Sequence, residues 1–167
     1  MVVMRCLAGI TGGIALLSAT AMAADTAPCP AGMVCASNPR TVADALARAG
    51  YKASISTDDE GDPMIRSAAS GYNFSVVFYG CQTGKACDAL RFQVVFEDDG
   101  KNSAALANSW NVKKRFIHLA ALEDGGLSAT YDVTTRGGLT QANFADVVDW
   151  WDVMLGELSQ FFKASQS

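Results

Sequence analysis

Two cysteine pairs with the same spacing, Cys29-x5-Cys35 and Cys81-x5-Cys87, constrain this chain more than any other feature. The fifth cysteine, Cys6, lies in an N-terminal segment with the marks of an export signal. Arg5 supplies the positive start, Cys6 to Leu17 is apolar, and Ala21-Met22-Ala23 fits the small-x-small rule for cleavage. Residues 1–23 are therefore expected to be a signal peptide whose removal takes Cys6 with it. The uncharged run to Ala24 is long enough for a retained anchor as the alternative, but Gly9, Gly12 and Gly13 dilute its hydrophobicity. Cys6 lies too early, and Cys29 lacks the apolar lead-in, for a lipoprotein. No later apolar run approaches spanning length, so the expected product is periplasmic and makes no stable membrane insertion after cleavage.

An even set of thiols in an oxidising compartment implies disulfides, and four cysteines allow three pairings. Local pairing is favoured. Cys81 with Cys87 would staple the mouth of a hairpin between strands Phe74 to Tyr79 and Ala89 to Phe96. Pro30 and Gly32 provide a bend for Cys29 with Cys35, and cross-pairing between the two regions stays open. Redox catalysis calls for Cys-x-x-Cys at a helix start, and a zinc site for closer ligands; neither spacing is present.

The 167 residues lean toward one domain. A hydrophobic fraction of 50% against 18% charged excludes a disordered chain, and a net charge of −4 disfavours nucleic acid as a partner. Residues 24–37 form a short arm with Pro28 and Pro30, expected to lack regular structure unless a disulfide ties it down. A first helix follows, with Asn38 as cap, Pro39 in its first turn, Val42, Ala45, Leu46 and Ala49 on one face, and Gly50 at its end. Strands are expected over Tyr51 to Thr57, Met64 to Ala69, Tyr72 to Tyr79 and Ala89 to Phe96. Leu90, Phe92, Val94 and Phe96 share one face of the last, and Arg91, Gln93 and Val95 the other. A helix capped by Asn102 or Ser103 runs to about Val112, pinned by Leu106 and Trp110. A hairpin of Phe116 to Leu122 and Leu127 to Thr135 turns at Glu123-Asp124-Gly125-Gly126. The last helix starts at Thr140, with Leu139 and Phe144 as a hydrophobic staple and an apolar face of Phe144, Val147, Val148, Trp151, Leu155, Leu158 and Phe162. The order α-β-β-β-β-α-β-β-α predicts an α+β fold with helices packed on an antiparallel sheet, the domain spanning 38–163 with a tail at 164–167.

No constellation for catalysis emerges. His118, the single histidine, sits in a predicted strand without a nucleophile motif beside it. Asp58-Asp59-Glu60-Gly61-Asp62 lacks the glycine position and late glutamate of a calcium loop and reads as a solvated turn. Gly84-Lys85 and Gly100-Lys101 lack phosphate-loop spacing, and Lys113-Lys114-Arg115 complements the end of the preceding helix. No catalytic residue, metal or cofactor is therefore nominated. Trp110 is expected as a core anchor and Asn111 as a helix C-cap. Trp150 and Val153 fall off the main stripe of the last helix; with Met154 they form a candidate partner surface, for a client protein or for a homodimer.

Gly50-Tyr51, Gly61-Asp62-Pro63-Met64-Ile65, Phe78-Tyr79-Gly80-Cys81, Asn108-Ser109-Trp110-Asn111, Arg115-Phe116, Tyr131-Asp132-Val133 and Gly137-Gly138-Leu139-Thr140 occur in an order that resembles the YbjN-domain family. That family is described as bacterial sensory transduction regulators. The resemblance implies a fold similar to type III secretion chaperones, which are small, acidic, often dimeric binders of protein clients, and it carries no established catalytic residues. The signal and the paired cysteines depart from a cytoplasmic chaperone. The expected function is thus a non-enzymatic, exported, protein-binding domain, chaperone-like or regulatory in envelope stress or signalling. The alternative is a periplasmic binder of a small ligand on the sheet face, which would require an enclosed pocket.

Overall fold

The computed structural model describes residues 28–165; the expected signal and the start of the arm lie outside them. In chain order the elements are α1 (Pro39–Arg48), β1 (Ser54–Thr57), β2 (Pro63–Ala69), β3 (Tyr72–Tyr79), β4 (Ala89–Phe96), α2 (Ala104–Asn111), β5 (His118–Ala121), β6 (Leu127–Thr134) and α3 (Gln141–Ser165). The strands form one antiparallel sheet in the order β1-β2-β3-β4-β6-β5. This is the expected α+β order, with β6 laid beside β4 and β5 placed at the edge.

Alternation along the central strands gives the sheet an apolar face. Ile65 on β2, Phe74, Val76 and Phe78 on β3, and Leu90, Phe92 and Val94 on β4 are all buried, with Val76 opposite Phe92 and Phe78 opposite Leu90. Helix α3 lies on that face. Its Phe144, Val148, Trp151, Met154, Leu155 and Leu158 recur every three or four residues and are buried. The Trp151 ring sits 5.6 Å from both Phe74 and Phe92, and Phe144 6.4 Å from Phe92. The Trp151 indole N–H has no partner among the described residues, so its contribution is packing rather than hydrogen bonding. Val147 and Phe162, expected on the buried stripe, are only half-buried at its margin.

Helix α1 starts as its sequence suggests, with Pro39 in the first turn, but the Asn38 side chain makes no capping bond. Thr41 instead ties the preceding arm to the helix start: its Oγ1 accepts from Cys35 N at 3.0 Å and donates to Asn38 O at 2.8 Å. At the other end Gly50, with φ of 93°, reverses the chain so that Tyr51 N reaches Leu46 O at 3.0 Å and Gly50 N reaches Ala47 O at 3.1 Å. Ala49 already occupies the cap and is exposed, and Ala43 takes the place expected for it on the buried face. At the start of α3, Thr140 caps as expected, its Oγ1 accepting from Asn143 N at 3.1 Å.

The arm is more ordered than its composition suggests. Val34 pairs with Leu139 through two backbone hydrogen bonds, and Val34 and Ala36 are fully buried. The cysteines are bonded locally, Cys29 to Cys35 and Cys81 to Cys87. The two disulfide loops meet at one buried hydroxyl. Thr135 Oγ1 accepts from Ala36 N at 2.8 Å and donates to Asp88 O at 3.2 Å, next to Cys35 and Cys87 respectively.

The α2–β5 connection departs most from its predicted form. Phe116 takes φ of 66°, a strained conformation for a bulky side chain, so the expected strand from Phe116 shortens to His118–Ala121. Ser103 caps α2 by accepting from Leu106 N, and Ala107 with Trp110, rather than Leu106, are its buried residues. The α3 helix extends through Ser165, into the expected tail. Trp110 Nε1 donates to Ile117 O at 2.8 Å. Asn111 is the last helical residue rather than the cap, which falls on Val112. Its amide donates to Leu119 O at 3.0 Å and accepts from Leu119 N at 2.9 Å, satisfying the outer edge of β5 as a neighbouring strand would. Asn108, in the same motif, is exposed. Asn111→Ala leaves both Leu119 groups unpaired and is expected to lower unfolding stability by about 1–3 kcal/mol in urea melts, whereas an unchanged midpoint would contradict this role.

Candidate functional site

The face of the sheet opposite α3 carries no helix. Residues opposite one another in the register share a face, so Met64 lies beside Val77, Arg66 beside Ser75, Ser75 beside Gln93, Val77 beside Arg91, and Arg91 beside Asp132. Across β2, β3 and β4 this face holds an open groove of about 510 Å³ with Met64, Arg66, Asn73, Ser75, Val77, Gln93 and Val95 on its walls. Val95 is 56% exposed and Tyr79, at one end of the same face, 42%. Arg91 is fixed by two hydrogen bonds to Asp132, 2.6 and 3.0 Å, and lies over the Tyr79 ring with 5.0 Å to its centre. The Asp132 hydrogen bonds push the Arg91 guanidinium further up from its already high range. Arg66, by contrast, makes no ion pair among the described residues and points its charge into the groove.

The positions nominated from the sequence do not converge on this groove. On α3, Met154 is 4% exposed and belongs to the core, because it falls in the same row as Trp151 and Leu158. Trp150 is half-buried and stacks on Phe116 at 4.6 Å, so it holds the strained connection in place. Val153 alone of the three is exposed, at 46%. The expected partner surface of Trp150, Val153 and Met154 is thereby reduced to one valine. Lys114 Nζ pairs with Glu157 at 2.5 Å and lies 5.8 Å from the centre of the Trp110 ring, in the last turn of α2.

His118 is exposed on edge strand β5, opposite Thr130, and no nucleophile bonds to it among the described residues. The acidic run closes its own turn: Asp58 Oδ1 accepts from Glu60 N at 3.0 Å and Asp62 N at 2.9 Å. Among the described residues, no three His, Cys, Asp or Glu side chains gather at a distance that would hold a metal ion. No described helix is long and apolar enough to cross a membrane.

A protein-family model described as "Putative bacterial sensory transduction regulator", YbjN, matches residues 38–166. The chain belongs to the YbjN family. The match takes in all nine elements from α1 to α3. It includes Cys81 and Cys87, whereas Cys29 and Cys35 lie ahead of it, so one disulfide of this YbjN domain secures an arm outside the family span. No curated protein matches the chain. The family motifs now have structural meanings: Gly50-Tyr51 ends α1, Trp110-Asn111 closes the β5 edge, and Arg115-Phe116 makes the strained corner.

The groove residues were visible only as the polar half of the β3 and β4 alternation, which every half-buried strand shows. Asp152 lies off the apolar stripe of the last helix, and nothing in the sequence marks a role for it. It is instead a tie between three elements, accepting Tyr51 Oη–H at 3.0 Å and Ser70 Oγ–H at 2.6 Å. Burial, and then the Asp152 carboxylate, push the Tyr51 phenol up to about 12. Burial also raises Tyr131, with Asp146 adding to it. Between about pH 10 and 12 the unfolded Tyr51 releases its proton while the folded one keeps it, so the stability that this tie adds at neutral pH is lost over that window. Absorbance titration should show a late-ionising tyrosine near pH 12 that moves back toward 10 in Asp152→Asn; ionisation of every tyrosine near pH 10 in the native protein would contradict the tie.

Proposed function

We propose that this YbjN domain acts by binding a protein partner across the helix-free face of its sheet, as an exported, non-enzymatic regulatory module. One observation carries the reading: the groove of about 510 Å³ presents Met64, Val77 and the exposed Val95 beside Arg66, which forms no ion pair among the described residues. An apolar floor flanked by amide, hydroxyl and guanidinium donors suits an extended segment or loop of a protein that brings both side-chain apolar area and acceptors. The small-ligand alternative is less well supported, because the groove is open along its length and would leave most of a small molecule in water. Two disulfides accord with an oxidising compartment, and residues 1–23 carry the export signature.

The test is affinity for a partner recovered from an envelope fraction and then purified. Val95→Asp and Arg66→Glu, both at exposed positions, should each weaken binding about tenfold or more while leaving the circular dichroism spectrum unchanged. Val153→Asp on α3 should bind as the wild type does. Loss in Val153→Asp with retention in the two groove variants would overturn the assignment.

A further inference from the structure

We propose that two copies of this chain pair edge to edge through β1, continuing the sheet across a two-fold axis. The two edges of the sheet are built differently. Asn111 closes the outer edge of β5 by binding both backbone groups of Leu119. Strand β1 has no such cover: among the described residues, its backbone pairs only with β2. Ser54-Ile55-Ser56-Thr57 also lacks the charges, proline or bulge with which proteins block an exposed edge. Ile55 shares the face of its register partner Ile65 but is 47% exposed, because the sheet stops there.

A second copy of the chain fits this edge better than an unrelated strand does, and charge decides it. In an antiparallel pairing, the backbone groups of both strands point at each other only if the two-fold passes through a residue, and centring it on Ile55 sets the two isoleucines face to face. Residues equidistant from Ile55 then meet, so Lys52 of each copy lies opposite Asp58 of the other, beside Asp59 and Glu60. Lys52, Asp59 and Glu60 are exposed, and none of them forms an ion pair within its own chain among the described residues. The contact occurs twice by symmetry. Because the β5 edges are closed by Asn111, the pairing stops at a dimer and does not propagate into a fibre. The interface rests on a short strand and one isoleucine per copy, which places it among weak, reversible associations. This dimer is independent of the groove on the helix-free face, since β1 lies at the edge and the groove across β2 to β4.

Sedimentation velocity of the purified, oxidised protein from the low micromolar range upward tests the proposal. A concentration-dependent monomer–dimer equilibrium is expected. Ile55→Lys, which sets two like charges on the axis, should abolish it with the fold retained. Lys52→Glu should weaken the dimer about fivefold, as two exposed ion pairs of about 0.5 kcal/mol each would. Ile55→Cys should give a cross-linked dimer on a non-reducing gel. A protein that stays monomeric at all concentrations, or a dimer indifferent to both Ile55→Lys and Lys52→Glu, would overturn it.

Discussion

Trp151 against Phe74 and Phe92 is the contact on which the rest of the fold depends. It seats α3 on the middle of the sheet, at the crossing of β3 and β4, and so decides which face is sealed. Losing a buried tryptophan typically costs about 3–5 kcal/mol, a large share of the stability of a domain this size. The unpartnered indole N–H works against that gain, which means that the shape and area of the ring hold the position. Once α3 is fixed, the opposite face of the sheet is left to water. Apart from the Arg91–Asp132 pair and its contact with Tyr79, the groove side chains there are not packed under a helix.

Smaller ties then hold the parts that hydrophobic burial alone would leave loose. Thr135 joins the two disulfide loops through one hydroxyl, so the arm ahead of the family span is locked to the same corner as the β3–β4 connection. Asp152 joins the end of α1, the β2–β3 turn and α3. The Phe116–Trp150 stack holds a backbone angle that a phenylalanine ordinarily avoids, and Phe116 also meets Tyr131 at 5.6 Å. That strain, of the order of 1–3 kcal/mol, is offset by aromatic packing on both sides.

Much of this was legible in the sequence, because it is local or periodic. The α3 stripe, the alternation of β3 and β4, the caps at Ser103 and Thr140, and the Gly50 stop depend on residues within a turn or two of one another. What escaped depends on contacts across the chain. Asn111 looks like a cap until β5 folds back to bring Leu119 to its amide, and nothing marks Asp152 until Tyr51 and Ser70 arrive from far upstream. Met154 was nominated for the surface because the stripe was drawn one residue too narrow. The Val34 segment looked irregular because its pairing partner, Leu139, lies beyond the whole sheet. The groove is harder still: nothing in an alternating strand distinguishes a solvated face from one that meets a partner.

The division of the sheet into a sealed and a working face is the central claim, and it bears on every functional statement about this YbjN domain. Site-specific photo-crosslinking tests it most directly, with a photoreactive residue placed at position 95 on the helix-free face or at position 153 on α3, both exposed in the native protein. A partner adduct from position 95 and none from 153 is the expected result. An adduct from 153 with none from 95 would contradict it and return the function to the last helix.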